Sequence, residues 1–215
     1  MGQDTPKQYL ELANATIIEH AVYKLLLCPF VERIVIGISA DDQFWPTLAL
    51  ATHDCVFTAP GGETRAETVE NCLAQLNDED PQRWVLVHDA VRPCVSREDI
   101  ALMWQSLQDD ECGGLLALPI SDTVKHADRD ERVEQTLDRS QLWTAQTPQM
   151  FRLGALTDAL VSARNKGIEV TDEASAIEQA GGKPKLFYGS ESNIKITRPA
   201  DLSLAAFYLS DHQED

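Results

Sequence analysis

The chain has 215 residues, with 18 Lys and Arg against 35 Asp and Glu, a formal net charge of −17. An apolar fraction of 43% is enough for a buried core and argues against intrinsic disorder, while the acidity argues against partners drawn in by long-range attraction, nucleic acid and anionic membranes among them. A small anion remains possible if a few cations converge on it, since one Lys or Arg at about 4 Å returns around 4 kcal/mol at an effective dielectric of about 20.

Apolar residues at helical spacing predict a helix over Ile17–Leu27. The β-branched run Ile34-Val35-Ile36-Gly37-Ile38 predicts a buried strand, and Cys55–Thr58 predicts the next. Ala59-Pro60-Gly61-Gly62 is a turn, after which Thr64 and Glu67 have capping-box spacing ahead of a helix with Val69, Cys72, Leu73 and Leu76 on one face. Trp84–Val87 is a continuous apolar strand closed by His88 and Asp89, and Ser96 can cap a helix whose face is Ile100, Met103, Trp104 and Leu107. Leu115–Leu118 is another buried strand. Strands apolar on both faces, alternating with helices, favour a parallel sheet covered by helices.

From about Ser121 to Thr144 the residues turn short, polar and alternating, which predicts an antiparallel excursion, either a mobile surface hairpin or an arm that reaches a second subunit. Phe151–Asn165 is amphipathic and helical, and Thr171 is placed to cap another helix with Asp172 and Glu173 in its first turn. Lys185–Tyr188 and Asn193–Thr197 read as strands, Pro199 opens a final helix, and Asp211–Asp215 is a polar tail. The five cysteines form no C-x-x-C pair, which argues against a disulfide framework or structural zinc. No apolar run nears the roughly 20 residues that cross a bilayer, and Met1-Gly2-Gln3-Asp4 has no signal-peptide character, so a reduced, cytoplasmic protein is expected.

Four segments carry more polar chemistry than folding needs. Lys7 lies in Pro6-Lys7-Gln8-Tyr9, where a lone lysine is either a solvated residue or a ligand contact. Pro60-Gly61-Gly62-Glu63-Thr64-Arg65 brings two glycines to a helix N-terminus, whose N–H groups favour an anion or a polar ring edge. An ordinary turn plus cap would account for Thr64 and Glu67, but not for both glycines and Arg65. Asp89, in His88-Asp89-Ala90-Val91-Arg92-Pro93-Cys94, follows a buried strand, where open α/β sheets bind ligands. It could be a Mg²⁺ ligand, a helix cap, or the partner of Arg92. Lys195 lies between Ile194 and Ile196; buried, it needs a carboxylate or a ligand phosphate, and on a wet strand face it needs nothing.

Taken in order, P-K-Q-Y at 6–9, G-G-E-T-R-A-E-T-V at 61–69, V-H-D-A-V-R-P-C at 87–94, S-D-T-V-K at 121–125, D-R-S-Q-L-W at 138–143, T-P-Q at 147–149, T-D-E-A-S-A at 171–176 and N-I-K-I-T-R-P-A-D-L at 193–202 resemble the 2-C-methyl-D-erythritol 4-phosphate cytidylyltransferases of the non-mevalonate isoprenoid pathway. The ordered set spans nearly the whole chain. The resemblance implies one Rossmann-like nucleotidyltransferase domain over 1–215, with a mostly parallel sheet flanked by helices, and a homodimer whose antiparallel β-arm, at about 121–144, completes the neighbour's site. By matched position, Gly62, Glu63 and Thr68 lie at the cytosine end with Arg65 supporting that loop. Asp89 binds Mg²⁺ and lies near the substrate, and Lys7 and Lys195 neutralise the α-phosphate region. Thr123, Arg139 and Thr147 bind the sugar phosphate across the dimer, and Thr171 is a further substrate contact.

The implied reaction transfers CMP from CTP to the polyol phosphate. A cytidylyltransferase for ribitol 5-phosphate is the alternative within the class. The family opens with a strand and a Gly-rich loop, roughly A-A-G-x-G-x-R-M-G, before P-K-Q, and Met1-Gly2 coincides with the end of that motif. Either that segment lies outside this sequence or the chain is truncated, in which case triphosphate binding is in doubt and a non-catalytic dimeric binding remnant is the reading from another class.

Overall fold

The computed structural model describes residues 5–211, so the match of Met1-Gly2 to the Gly-rich motif and the tail residues 212–215 lie outside the described residues. A 3₁₀ turn at Lys7–Tyr9 leads into a two-residue hairpin, β1 (Glu11–Leu12) and β2 (Ala15–Thr16). Helix α1 (Ile17–Leu26) begins in a capping box between Thr16 and Glu19 and buries Ile17, Ile18, Ala21, Val22 and Leu25. Next come β3 (Ile34–Ile38), β4 (Val56–Pro60), α2 (Arg65–Ala74), β5 (Trp84–Val87) and α3 (Arg97–Leu107). Ser96 caps α3 by accepting from the Asp99 N–H. Then follow β6 (Gly114–Pro119), the arm hairpin β7 (Val124–Ala127) and β8 (Val133–Leu137), and β9 (Trp143–Arg152). Helices α4 (Leu153–Asn165) and α5 (Glu173–Gln179), strand β10 (Lys185–Tyr188) and α6 (Pro199–Asp211) complete the described chain.

The main sheet has the order β10-β6-β9-β5, and β3 and β4 pair separately. The expected mostly parallel sheet is instead mixed. Strand β10 is parallel to β6 and β3 to β4, but β9 is antiparallel to both β5 and β6. The cause is the arm. The chain leaves β6 at Pro119, runs out through β7 and β8, and returns with Trp143 opposite Pro119 without a crossover helix, so the returning strand is antiparallel.

Alternation along β9 divides the core. Phe151 packs with Leu115 against α2, α4 and α5, whereas its neighbour Met150 packs with Leu116 against α3 and the end of α1. Both side chains are fully buried, worth roughly 1.5–3 kcal/mol each. Helices therefore cover both faces. A cavity of about 860 Å³ lies between β3 and β5, lined by consecutive residues of each strand, so that strand edges front it. Neither strand has a ladder partner on that edge among the described residues, and their apolar runs stay half-buried where β6 is buried from Gly114 to Ala117.

Gly37 of β3 brings the strand close to α2. A Cβ there would fall inside contact distance of Thr68 Cγ2, and it would touch Cys72 Sγ at 3.4 Å. Gly37→Ala is expected to destabilise the protein by about 1–3 kcal/mol through overpacking, read as a lower urea midpoint. Thr68→Ser, which deletes that methyl and keeps the hydroxyl, should restore most of it. A Gly37→Ala protein as stable as its parent contradicts this packing.

Candidate active site

Asp89 lies two residues beyond Val87, the last residue of β5, at the carboxyl end of a strand in an open α/β sheet, where a side chain can face the crevice. Its side chain is only 11% exposed, and three cations surround it. Lys195 Nζ lies 2.9 Å from Oδ2, Arg65 Nε 3.2 Å from Oδ1, and Arg92 Nε 3.6 Å from Oδ2. Burial pushes the carboxyl up, but the Lys195 hydrogen bond and the charges of Arg65, Lys195 and Arg92 outweigh it and hold it down at about 2.

Each cation arrives on a different segment. Arg65 is the first residue of α2, and its Nη1 and Nη2 donate to Glu173 Oε1 and Oε2 at 2.6 and 3.0 Å. Burial lowers the Arg65 guanidinium, and the Glu173 and Asp89 carboxylates more than reverse that, raising it above its ordinary value. Arg92, in the loop after β5, donates from Nη1 to the Asn193 carbonyl at 2.6 Å; burial lowers its guanidinium, with Asp89 only partly opposing. Its Nε is buried without a hydrogen-bond partner among the described residues.

Lys195 is carried by a segment that forms no strand, contrary to the expectation for Asn193–Thr197. Two anchors hold that segment instead: the Ile196 N–H donates to the Val91 carbonyl at 2.9 Å, and Asn193 Nδ2 donates to the Thr147 carbonyl at 2.9 Å. These contacts replace a ladder and leave Lys195 on a carboxylate.

The glycine loop curls onto the start of α2. The Gly61 N–H donates to the Ile38 carbonyl at 2.7 Å, Gly62 N–H to Thr68 Oγ1 at 2.9 Å, and Glu63 N–H to Glu67 Oε2 at 2.8 Å. Thr64 accepts from Glu67 N–H as expected, but the Glu67 carboxylate reaches Glu63 rather than Thr64, so the reciprocal arm of the capping box is displaced by one residue. A Cβ on Gly62 would stand 2.5 Å from Glu67 Cβ, so the tight curl requires glycine.

Behind Asp89, His88 is half-buried as a residue, with its imidazole turned inward and bonded at both ring nitrogens. The Arg92 carbonyl, 3.1 Å from Nε2, can only accept, so Nε2 carries the proton. Nδ1 then accepts from Thr147 Oγ1 at 3.0 Å, and that oxygen accepts the Asp89 N–H at 3.0 Å. The buried Thr147 hydroxyl thus fixes the backbone under Asp89. Burial pulls the His88 imidazole down to about 4, outweighing its hydrogen bonds.

Lys7, Arg65, Thr68, Asp89 and Lys195 all line the cavity between β3 and β5. Lys7, Glu63 and Thr171 are exposed, and Gly62 is half-buried beside Thr68. Thr123 and Arg139 are exposed at either end of the arm hairpin and do not line this cavity in the single chain. Thr171 does not cap α5. Asp172 does, its side chain accepting from Ser175 N–H while Ser175 Oγ accepts the Asp172 N–H in return.

Glu173 escaped the sequence reading, which placed it in the first helical turn as a complement to the dipole. It shares the i, i+3, i+4 face of Ala176 and Ile177, both buried, and that spacing was the available signal. For a metal, the described residues offer no group of three or more His, Cys, Asp or Glu side chains. Asp89 is the strand-end carboxylate here and both its oxygens face cations of the chain, so a metal such as Mg²⁺ would have to displace one of these and take its remaining ligands from phosphate and water.

Fold and site together define an α/β protein of the nucleotidyltransferase type. Residues 1–211 match the family described as IspD, 2-C-methyl-D-erythritol 4-phosphate cytidylyltransferase. A relative of that name from Vibrio vulnificus strain YJ016 is 45% identical over 216 residues, covering 100% of this chain and 91% of that protein. Another from Ectopseudomonas mendocina is 49% identical over 205 residues, covering 94% and 87%. The crystal structure of the Francisella tularensis enzyme superposes with a TM-score of 0.86 at 38% identity, covering 95% of this chain and 94% of that one. The chain belongs to the 2-C-methyl-D-erythritol 4-phosphate cytidylyltransferase family.

The buried imidazole gives stability a pH dependence. The unfolded chain takes up the His88 proton near pH 6.5 and the folded chain only near 4, so this contribution is intact above about pH 6.5 and falls by about 3 kcal/mol as pH drops to 4. His88→Gln, which keeps a donor for the Arg92 carbonyl, should flatten the urea midpoint between pH 6.5 and 4.5 relative to wild type. Equal slopes in the two proteins exclude a neutral buried His88.

Proposed function

We propose that the protein transfers CMP from CTP to 2-C-methyl-D-erythritol 4-phosphate, forming CDP-methylerythritol and releasing pyrophosphate. The observation that carries this reading is the gathering of Arg65, Arg92 and Lys195 around the strand-end carboxylate Asp89, in a cavity that Lys7 also lines and in a chain that belongs to this family. Family membership favours neither ribitol 5-phosphate as substrate nor a non-catalytic binding remnant.

In the proposed reaction a phosphate oxygen of the polyol phosphate attacks the α-phosphorus of CTP in line. The bond to the bridging oxygen breaks, and pyrophosphate leaves with its electron pair. The attacking oxygen is already anionic, so no general base is needed, and catalysis consists of positioning and charge neutralisation. Lys7 and Lys195 neutralise the α-phosphate region. Lys195 now pairs with Asp89 Oδ2 and can exchange that carboxylate for an incoming phosphate within the same cluster. Asp89 would hold Mg²⁺, which when bound offsets phosphate charge. Gly62, Glu63 and Thr68 form the cytosine end, with the loop braced by Arg65.

The polyol phosphate is read as held by Arg139, Thr123 and Thr171, with Arg139 supplying the forked donor suited to a phosphate, whereas Thr147, expected among these contacts, is buried with its hydroxyl proton on His88 and acts through the backbone under Asp89 instead. Because Arg139 and Thr123 do not line the cavity of their own chain, the proposal has them act on a second copy, in a homodimer of single-domain chains joined through the arm at about 121–144. The exposed faces of β7 and β8, with Val133 61% exposed, support an arm that is covered by something other than its own core. The cytoplasm, where CTP is available, is the proposed setting, and no described helix is long and apolar enough to cross a membrane.

Lys7→Ala and Lys195→Ala are each expected to lower kcat by about 100-fold or more with KM changed less than about threefold. Turnover close to wild type in either variant removes that residue from the assignment. For the arm, Asp89→Asn and Arg139→Ala should each be nearly inactive alone. Mixed, dissociated and reassociated in equal amounts, they should recover about a quarter of wild-type activity, because half the dimers are mixed and each mixed dimer rebuilds one intact site. No recovery on reassociation means the arm serves its own chain.

A further inference from the structure

Glu173 is 1% exposed, and a buried carboxylate is costly unless a cation and good geometry meet it. An apolar side chain on this face of α5, beside Ala176 and Ile177, would serve packing better. Its cationic partner among the described residues is Arg65, bound in a two-pronged fork, and the remaining edge of that guanidinium donates from Nε to Asp89 Oδ1.

The carboxylate is placed rigidly. Gln149 of the central strand β9 donates from Nε2 to Asp172 Oδ2 and accepts the Ala174 N–H at Oε1, both at 2.8 Å, so the residues on either side of Glu173 are tied to the sheet. A line of directed contacts therefore runs from β9 through α5 and Glu173 to Arg65 and Asp89.

We infer that Glu173 is a positioning residue for nucleotidyl transfer, holding the Arg65 guanidinium so that Nε orients Asp89 and leaves Oδ2 to Lys195, the cation that meets the incoming phosphates. The inference rests on the proposed reaction. Arg65 is 35% exposed at its side chain, and without the fork it is free to turn toward the nucleotide phosphates. The local charge changes as well. Arg65, Arg92 and Lys195 against Asp89 and Glu173 leave an excess of one positive charge, and neutralising Glu173 makes it two. CTP should then bind as well or better, in a geometry that reacts more slowly.

The test is Glu173→Gln, which keeps size and one acceptor. The expected result is a kcat at least tenfold lower with the KM for CTP unchanged or reduced, a split that general loosening of the fold does not produce. In an Arg65→Ala background the same change should alter kcat less than twofold, since the carboxylate then has no guanidinium to place. An equal loss in both backgrounds, or wild-type kcat in folded Glu173→Gln, overturns the inference. If Glu173→Gln does not fold, Arg65→Lys carries the test, because it keeps the buried charge paired and deletes the fork. Its kcat should again fall at least tenfold at unchanged KM, and wild-type kcat there overturns the inference equally. Wild-type turnover of CTP and 2-C-methyl-D-erythritol 4-phosphate is measured beside these variants. An inactive wild type rejects the reaction, whereas an active wild type with indifferent variants rejects only the role of Glu173.

Discussion

A carboxylate that is nearly out of water, at the end of an apolar strand, stays ionised only if cations are brought to it. Asp89 has three, and meeting that requirement fixes much of the surrounding chain. Arg65 arrives at the N-terminus of α2, Arg92 in the loop after β5, and Lys195 on the segment before α6. Two parts of the chain distant in sequence, with Arg92 from the same loop, are thereby pinned to one oxygen pair. The three pairings are unequal in strength. Lys195 is 41% exposed at its side chain, so solvent screens it and its pairing is worth about 1 kcal/mol or less, whereas Arg92 is as buried as Asp89 itself. The pairing that solvent weakens most is the one a phosphate can most easily replace, which suits a cation that must change partners during turnover.

The sheet supports this cluster from behind. Strand β9 lies between β5 and β6, and its polar residues serve the site rather than the core. Thr147 accepts the Asp89 N–H and donates to His88, and its carbonyl receives Asn193. Gln149 fixes the start of α5. Two residues further on, Phe151 is core. One strand thus carries the site's scaffold at one end and closes the hydrophobic interior at the other, so displacement of the loops is resisted by packing as well as by charge.

Residue pattern made most of the α/β alternation legible: the helices at 17–26 and 97–107, the strands at 34–38 and 84–87, and the excursion of the arm all lie where periodicity and capping put them. What stayed hidden was polar and buried. Strand β9 carries Gln146, Thr147, Pro148 and Gln149, and nothing in that composition announces a central strand. Its direction, set by the return from the arm, turned a sheet expected to be mostly parallel into a mixed one. The segment at 193–197 misled in the opposite sense, since alternating isoleucines serve equally well to anchor a loop whose hydrogen bonds go to Val91 and Thr147. At the site, Lys7, Arg65, Asp89 and Lys195 were legible as motifs and the resemblance assigned them to one site, but the pairing of Arg65 and Lys195 with Asp89 was not legible, because those contacts join segments far apart in the chain.

The contrast between a chain of net charge −17 and a site with one excess positive charge decides what the protein can attract. At physiological ionic strength the Debye length is about 8 Å, so the diffuse acidity repels a unit anion at the surface by only about 1 kcal/mol, and a nucleoside triphosphate by a few times that. A cation at contact distance returns around 4 kcal/mol to a phosphate at an effective dielectric of about 20, and less where solvent screens it, as at Lys195. Attraction therefore exceeds repulsion only for an anion small enough to enter the cleft and touch the cations. A polyanion held at the surface meets the repulsion without the compensating contacts. The acidic exterior and the clustered cations of the cleft together act as a size filter on anions, which neither would provide alone.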